Sequence, residues 1–346
     1  MKTIKKFLAS SEDPDTASSY NKIGNVYADK GDFDRASEYH MKALEIREKV
    51  LGKHHPYTAQ SYNSIGIIYS KKGDDDRALE YHMKALEIRE DVLGKEHPDT
   101  AGSYYNIGLV YDKKGDFDRA LEYHMKALEI REKVLGKHHP YTAQSYNSIG
   151  IIYSKKGDFD RALEYYMKAL EIWEIVLGKD HPETAQSYNN IGNIYSRKGD
   201  FGCAIEYYMK AAEQGHTRAQ NNLATLYANG KGVEQNYSKA IEWYQKAAEQ
   251  GFENSYNGLA WTYHLMGKYE EALPWTKKAV EAFPNNPNNI DTLATVYQGL
   301  TRYDEAMEQF ELCLKLYKEQ DNADGIHRTE IKINTLKNLI EKITKS

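Results

Sequence analysis

Between Gly115 and Asp158 the apolar residues Ala120, Tyr123, Ala127, Leu128, Ile130 and Leu135 recur near a spacing of three to four, with charged residues between them. That spacing predicts a helix with one buried stripe. The boundaries are readable in the neighbouring stretch. Proline suits a first helical turn, where its missing N–H has no partner in any case, so a helix is predicted from Pro56 to Lys72. Gly73 stops it, Asp74 caps the next, and a second helix runs to Leu93, where Gly94 ends it. The pattern repeats. Gly31 to Asp74 returns at Gly115 to Asp158 with Ser37 replaced by Leu121. A weaker copy lies between, which makes the unit 42 residues. One marker glycine recurs at Gly24, Gly66, Gly108, Gly150 and Gly192. A two-helix unit buries too little alone, so neighbours must stack into a continuous core.

The residues Tyr20, Ile23-Gly24, Tyr27, Ala36 and Ala43-Leu44 resemble the tetratricopeptide repeat pattern. The 42-residue form with Ala127–Pro140 is similar to the repeats of kinesin light chains. Five such copies span 13–210, after a lead at 1–12. Beyond Gly199 the period shortens. The stretch 211–251, with its Gly230-Lys231-Gly232-Val233 loop, resembles the Sel-like repeat. Two 34-residue units follow over 252–320. In the last segment, 321–346, Ile333, Leu336, Ile340 and Ile343 share one face and predict a capping helix, with a coiled-coil dimerisation helix as the rival. The resemblance implies an all-α, right-handed α-solenoid of about eight hairpins plus that cap.

Composition narrows the function. Net charge is -5, which argues against nucleic acid as partner. No apolar stretch approaches the roughly 20 residues of a membrane span, and the Phe7-Leu8-Ala9 run is too short for a secretory signal. Two cysteines, Cys203 and Cys313, cannot form a disulfide framework, so a reducing, cytoplasmic setting is expected. Cys203 stands at a slot held elsewhere by arginine and reads as exposed; Cys313 stands at a small core slot. Tyrosine is abundant, at 29 copies, as suits a thin structure whose side chains lie near a surface.

The twelve histidines invite a metal reading. His40, His82 and His124 recur at the repeat period, too far apart to share one ion. Their slot holds Tyr166, Tyr208, Tyr244 and Phe310 later, so packing is expected. The His54-His55 and His138-His139 pairs precede a helix proline and read as turn and cap residues. No motif of catalysis or cofactor binding occurs. Neither enzyme, metal site nor cofactor is expected.

In the tetratricopeptide family the first helix of each pair lines a concave, peptide-binding face. Two residues before each Ile-Gly or Leu-Ala marker stand Asn21, Asn63, Tyr105, Asn147, Asn189, Asn221, Asn257 and Asp291. A carboxamide both donates and accepts, so this row suits a peptide backbone; bridging between repeats is the structural alternative. Two residues past the marker lie Asn25, Ile67, Leu109, Ile151 and Asn193, read either as side-chain contacts for a ligand or as packing. Lys71, Lys113, Lys155 and Arg197 form a basic row suited to acidic residues or to plain solvation.

Two local departures stand out. Asp75 replaces the aromatic of Phe33, Phe117, Phe159 and Phe201, which predicts a loose second hairpin. Trp173 and Ile175 replace Arg131 and Lys133; Trp173 reads as an exposed anchor or as buried under the next repeat. The lysine that chaperone-type carboxylate clamps need is absent at Asn21, and the heptads of kinesin light chains do not precede the repeats, so neither a chaperone-tail binder nor a motor subunit is expected. The expected function is a non-catalytic scaffold that binds an extended peptide. It is expected to be monomeric, with a homodimer as the other option. The alternative is a sensor whose superhelix tightens on binding, hinged near residue 200.

Overall fold

Each first helix begins where the sequence supplies a cap. The computed structural model describes residues 13–345; the lead at 1–12 lies outside the described residues. Asp13 caps α1 (Pro14–Asp29) by accepting from the Thr16 N–H. His55, His97, His139 and His181 cap the next four first helices through Nδ1, which accepts from the N–H two residues on. The histidines ahead of the prolines are therefore caps, as the sequence implies. Gly73 takes the left-handed conformation (φ 79°, ψ 10°) at the end of the Pro56–Lys72 helix, and Asp74 then caps the Asp75–Leu93 helix.

The described residues form 17 helices and no strand. The chain divides into two compact units, Met1–Gly178 and Lys179–Ser346. The first holds α1, α2 (Phe33–Leu51), α3 (Pro56–Lys72), α4 (Asp75–Leu93), α5 (Pro98–Lys113), α6 (Phe117–Val134), α7 (Pro140–Lys155) and α8 (Phe159–Val176). The second holds α9 (Pro182–Arg197), α10 (Phe201–Glu213), α11 (Thr217–Asn229), α12 (Tyr237–Glu249), α13 (Asn254–Leu265), α14 (Tyr269–Ala282), α15 (Pro287–Gly299), α16 (Tyr303–Glu319) and α17 (Ala323–Lys345). Within each unit, helices pack mainly on their sequence neighbours, so each unit is a stack of hairpins. The eight pairs and the final α17, which places Ile333 and Leu336 in the last core cluster, match the expected architecture. The division falls at residues 178–179, ahead of the period change near 200.

The marker glycine has a steric cause. A Cβ on Gly66 would sit 2.8 Å from the His82 ring, and one on Gly192 would sit 2.7 Å from the Tyr208 ring. First and second helices approach so closely that nothing larger than hydrogen fits. The 42-residue recurrence of glycine is the recurrence of this contact. In the Sel-like loop, Gly232 has φ 72° and would drive a Cβ to 2.5 Å from the Phe201 Cβ.

Tyrosines stack between the two helices of each 42-residue hairpin. Tyr69 and Tyr81 stack at 5.5 Å between centroids, and Tyr62 tilts against Tyr81 at 6.1 Å. The Tyr62 hydroxyl donates to Glu48 of the preceding hairpin. The same set recurs as Tyr104, Tyr111 and Tyr123, which accounts for the high tyrosine count.

The second hairpin departs from this scheme at one point. Lys71 lies 5.8 Å over the Phe33 ring, and Lys155 lies 5.8 Å over Phe117. The equivalent ring at residue 75 is a carboxylate, and Lys113 reaches instead to Ser70, at 2.8 Å from its carbonyl oxygen. Asp75 Oδ1 is left buried with no hydrogen-bond partner. A buried polar atom without a partner costs about 1–3 kcal/mol. Asp75→Phe is therefore expected to stabilise the chain by about that much, seen as a higher melting temperature in calorimetry; an unchanged or lower value refutes the assignment.

Candidate functional site

The second helix of each early hairpin ends in an arginine that turns inward. Arg47, Arg89 and Arg131 are all buried, with Arg89 only 9% and Arg131 only 6% exposed. Each clasps the first helix of the next hairpin. Arg89 Nη1 donates to the Asp99 carbonyl oxygen (3.0 Å) and to Ser103 Oγ (2.8 Å). Arg131 Nη1 does the same with Tyr141 O and Ser145 Oγ, both at 2.8 Å. All these acceptors are neutral. No carboxylate pairs with any of the three arginines among the described residues; the Asp99 side chain, 62% exposed, reaches Arg89 only through its field. Burial pushes the guanidinium pKa of both Arg89 and Arg131 down from the ordinary value, yet arginine stays charged at any physiological pH.

Arg89 and Arg131 line one cavity of about 310 Å³ inside the first unit, together with Asn63, Asn106, His139 and Gly102. Its carboxamides are braced: Asn106 Nδ2 donates to Asn63 Oδ1 (2.9 Å), which also meets His82 Nδ1 (3.2 Å). His139 uses Nδ1 as the cap acceptor, so its proton sits on Nε2 as a further donor. Gly102 keeps the cavity open. The equivalent position is Gln60, Gln144 and Gln186 in other repeats, whereas a Cβ on Gly102 would meet nothing within 4 Å. The cavity therefore presents two uncompensated cations and several neutral donors.

The asparagine row serves more than one purpose. Asn21 Oδ1 pairs with His40 Nδ1 at 2.7 Å, as Asn63 does with His82. Asn189 is buried and accepts from Asn222 Nδ2 at 3.4 Å; Asn193 accepts from Asn222 (3.1 Å) and from the Tyr208 hydroxyl (2.7 Å). Asn147 is half-buried and Asn25 exposed. Asn221 and Asn257 line a separate cavity of about 320 Å³ in the second unit. Ile67 and Leu109 stay open, at 37% and 38% exposed, while Ile151 is half-buried. The basic row is tied to preceding hairpins. Lys71 lies over Phe33, Lys113 is held by Ser70, and Lys155 pairs with Asp112 at 2.6 Å. Arg197 is exposed.

Two readings are decided here. Trp173 is buried, at 7% exposed, in the arginine slot; it is not an exposed anchor, although Ile175 beside it is open. In α9, Ser187 Oγ donates to the Glu183 carbonyl oxygen at 3.0 Å. Cys203 is half-exposed rather than fully open, and Cys313 is buried. The arginine row, Gly102 and Asn106 were not singled out by the sequence reading. Their signal was the 42-residue recurrence of arginine near each helix end with serine 14 residues on.

A stack of helix hairpins with a marker glycine and an aromatic slot defines a helical-repeat protein. Tetratricopeptide repeat profiles match residues 15–214 in four overlapping segments, and again 253–286 and 291–320; a Sel1 repeat profile matches 217–252. The chain belongs to the tetratricopeptide repeat family. Solved structures agree in fold. BtubC (BKLC) from P. vanneervenii is 26% identical, over 60% of this chain and 82% of that one, with a TM-score of 0.54. A putative kinesin light chain of nearly identical TPR-like repeats from Podosopora anserina is 22% identical, over 58% and 96%, with a TM-score of 0.52. The apo form of RapI is 17% identical, over 77% and 97%, with a TM-score of 0.56. A search of curated proteins finds no match. Repeat scaffolds of these families generally mediate protein–protein interactions and are generally non-catalytic. No helix of the described residues is long and apolar enough to cross a membrane.

The histidine slot carries a pH dependence. His82 and His124 lie against Gly66 and Gly108, and burial depresses each imidazole to about 4 from an ordinary 6.5. Between those values the unfolded chain binds more protons, so stability rises with pH across that window. It is complete above about 6.5 and lost as pH falls towards 4. Both nitrogens of His124 lack any hydrogen-bond partner. His124→Phe is expected to raise stability by about 1–3 kcal/mol at neutral pH. It should also shallow the acid slope in urea unfolding measured from pH 7 to 4. An unaltered slope with lower stability refutes this account.

Proposed function

We propose that the chain is a non-catalytic interaction scaffold that holds an extended segment of a partner protein, one acidic side chain of which enters the cavity between Arg89 and Arg131. The observation that carries this reading is the pair of buried guanidiniums without a counter-ion. A buried charge costs several kcal/mol unless it is paired, and hydrogen bonds from a cation to neutral acceptors offset only part of that. A carboxylate supplies what is missing, through short charge-assisted bonds. The surrounding carboxamides of Asn63 and Asn106 suit the backbone on either side, and Ile67 and Leu109 offer open apolar contacts in the same unit.

Gly102 provides the test. Gly102→Gln installs the residue that sibling repeats carry, in a helix where glycine is the weaker former by roughly 0.5–1 kcal/mol. The variant should fold at least as well and fill the cavity. A random-peptide display library is panned on both proteins. The parent is expected to enrich peptides containing Asp or Glu, and the variant to bind those peptides at least tenfold more weakly. Equal enrichment by both, or enriched peptides without acidic residues, overturns the reading.

A further inference from the structure

Tyr105 interrupts the asparagine row, and its ring lies under one of the two cavity arginines. Arg131 Cζ stands 4.5 Å from the Tyr105 ring centroid and 5.4 Å from that of Tyr141. The Tyr105 hydroxyl is 3.0 Å from Ser148 Oγ, which fixes the ring. Arg89 occupies the same slot one repeat earlier, but Asn63 and Asp99 stand where Arg131 has its tyrosines. Two arginines thus share one cavity: Arg131 is flanked by rings and by Gln144, whereas Arg89 has neither ring and Gly102 in place of the glutamine.

This arrangement has a measurable cost elsewhere. In the first two hairpins the row asparagine accepts from the histidine beneath it, at 2.7 Å for Asn21 and His40 and 3.2 Å for Asn63 and His82. In the third, Tyr105 offers only a tilted ring, 5.2 Å away, and both nitrogens of His124 remain unpartnered. Unsatisfied buried polar groups are few in native proteins, and each calls for an explanation. A loss of this kind fits a residue kept for something other than stability.

We propose that Tyr105 is a positioning residue, which holds the Arg131 guanidinium so that its free edge faces the cavity and receives a carboxylate in its plane. The inference rests on the carboxylate-binding reading above. Rings over a guanidinium face leave its donors available only at the edges, where they match the two oxygens of a carboxylate. Arg131 Nη1 is committed to Tyr141 O, Ser145 Oγ and, at 3.5 Å, Gln144 Oε1, so Nε and Nη2 remain for the ligand.

The test follows the arginine Nε–H signals by NMR while sodium succinate replaces sodium chloride at constant ionic strength. In the parent, both the Arg89 and Arg131 signals are expected to shift and saturate. In Tyr105→Asn, the Arg89 response should survive, the Arg131 response should weaken at least fivefold, and the melting temperature should not fall, because the new carboxamide can partner His124. Tyr105→Phe, which keeps the ring, should restore the Arg131 response. An undiminished Arg131 response in Tyr105→Asn overturns the proposal. So does loss of response at both arginines together with a lower melting temperature, which marks a merely structural role. A parent that responds at neither arginine refutes the carboxylate reading itself, and the role of Tyr105 with it.

Discussion

A close approach repeated in each 42-residue hairpin governs the rest of the molecule. Where Gly66 passes over His82, or Gly192 over Tyr208, helix backbone rests on ring with no space for a methyl group. That contact fixes the separation and register of the two helices in each hairpin. It also seals the slot residue from water, and that burial lowers the pKa of a histidine there. Once the hairpins are fixed, the far ends of the second helices converge on the next first helices, and the arginine–serine clasp joins one hairpin to the next. Packing at one point in the unit thus decides where a charge must be buried at another.

The clasp is a series within a single chain. Arg47, Arg89 and Arg131 donate to a carbonyl and a serine of the following hairpin, while the corresponding position of α8 holds the buried Trp173. A buried charge is therefore not explained by stacking alone, since an apolar residue of similar volume serves as well or better in such positions. What distinguishes Arg89 and Arg131 is the open cavity they share.

The fold was legible because its signals are local. Pro56, Gly73, Asp74 and Gly94 bound helices at the positions where the structure begins and ends them, and the apolar period names the buried stripe. The Asp75 anomaly was equally plain, since an acid stands where four sibling positions hold phenylalanine. The cavity was not legible in this way. Its walls come from residues 63, 89, 102, 106, 131 and 139, on four successive helices and the cap of the next. An arginine in the last turns of a charged helix has the same one-dimensional appearance whether it faces solvent or turns inward. Asparagines shared the difficulty: Asn189 and Asn221 stand at the same register, yet one is buried and bridged and the other lines a cavity.

Near-identity between repeats makes the exceptions informative. The two copies at 31–74 and 115–158 differ at one position, and the stretch they enclose carries Asp75, Asp99, Gly102 and Tyr105 in place of Phe, Tyr, Gln and Asn. Two of those four changes weaken the stack, since an orphaned carboxylate oxygen follows from one and an unpartnered imidazole from another. A third, Gly102, gives up helix propensity and side-chain contact together. If this hairpin served only to extend the stack, the flanking copies show the better sequence for it. Gly102 leaves space in the wall that Arg89 also lines, and Arg131 Cζ stands 4.5 Å over the Tyr105 ring, so these two departures bear on the same cavity from the same helix. Asp75 lies apart from that cavity, and its carboxylate has no such account; it marks the limit of reading every departure as functional.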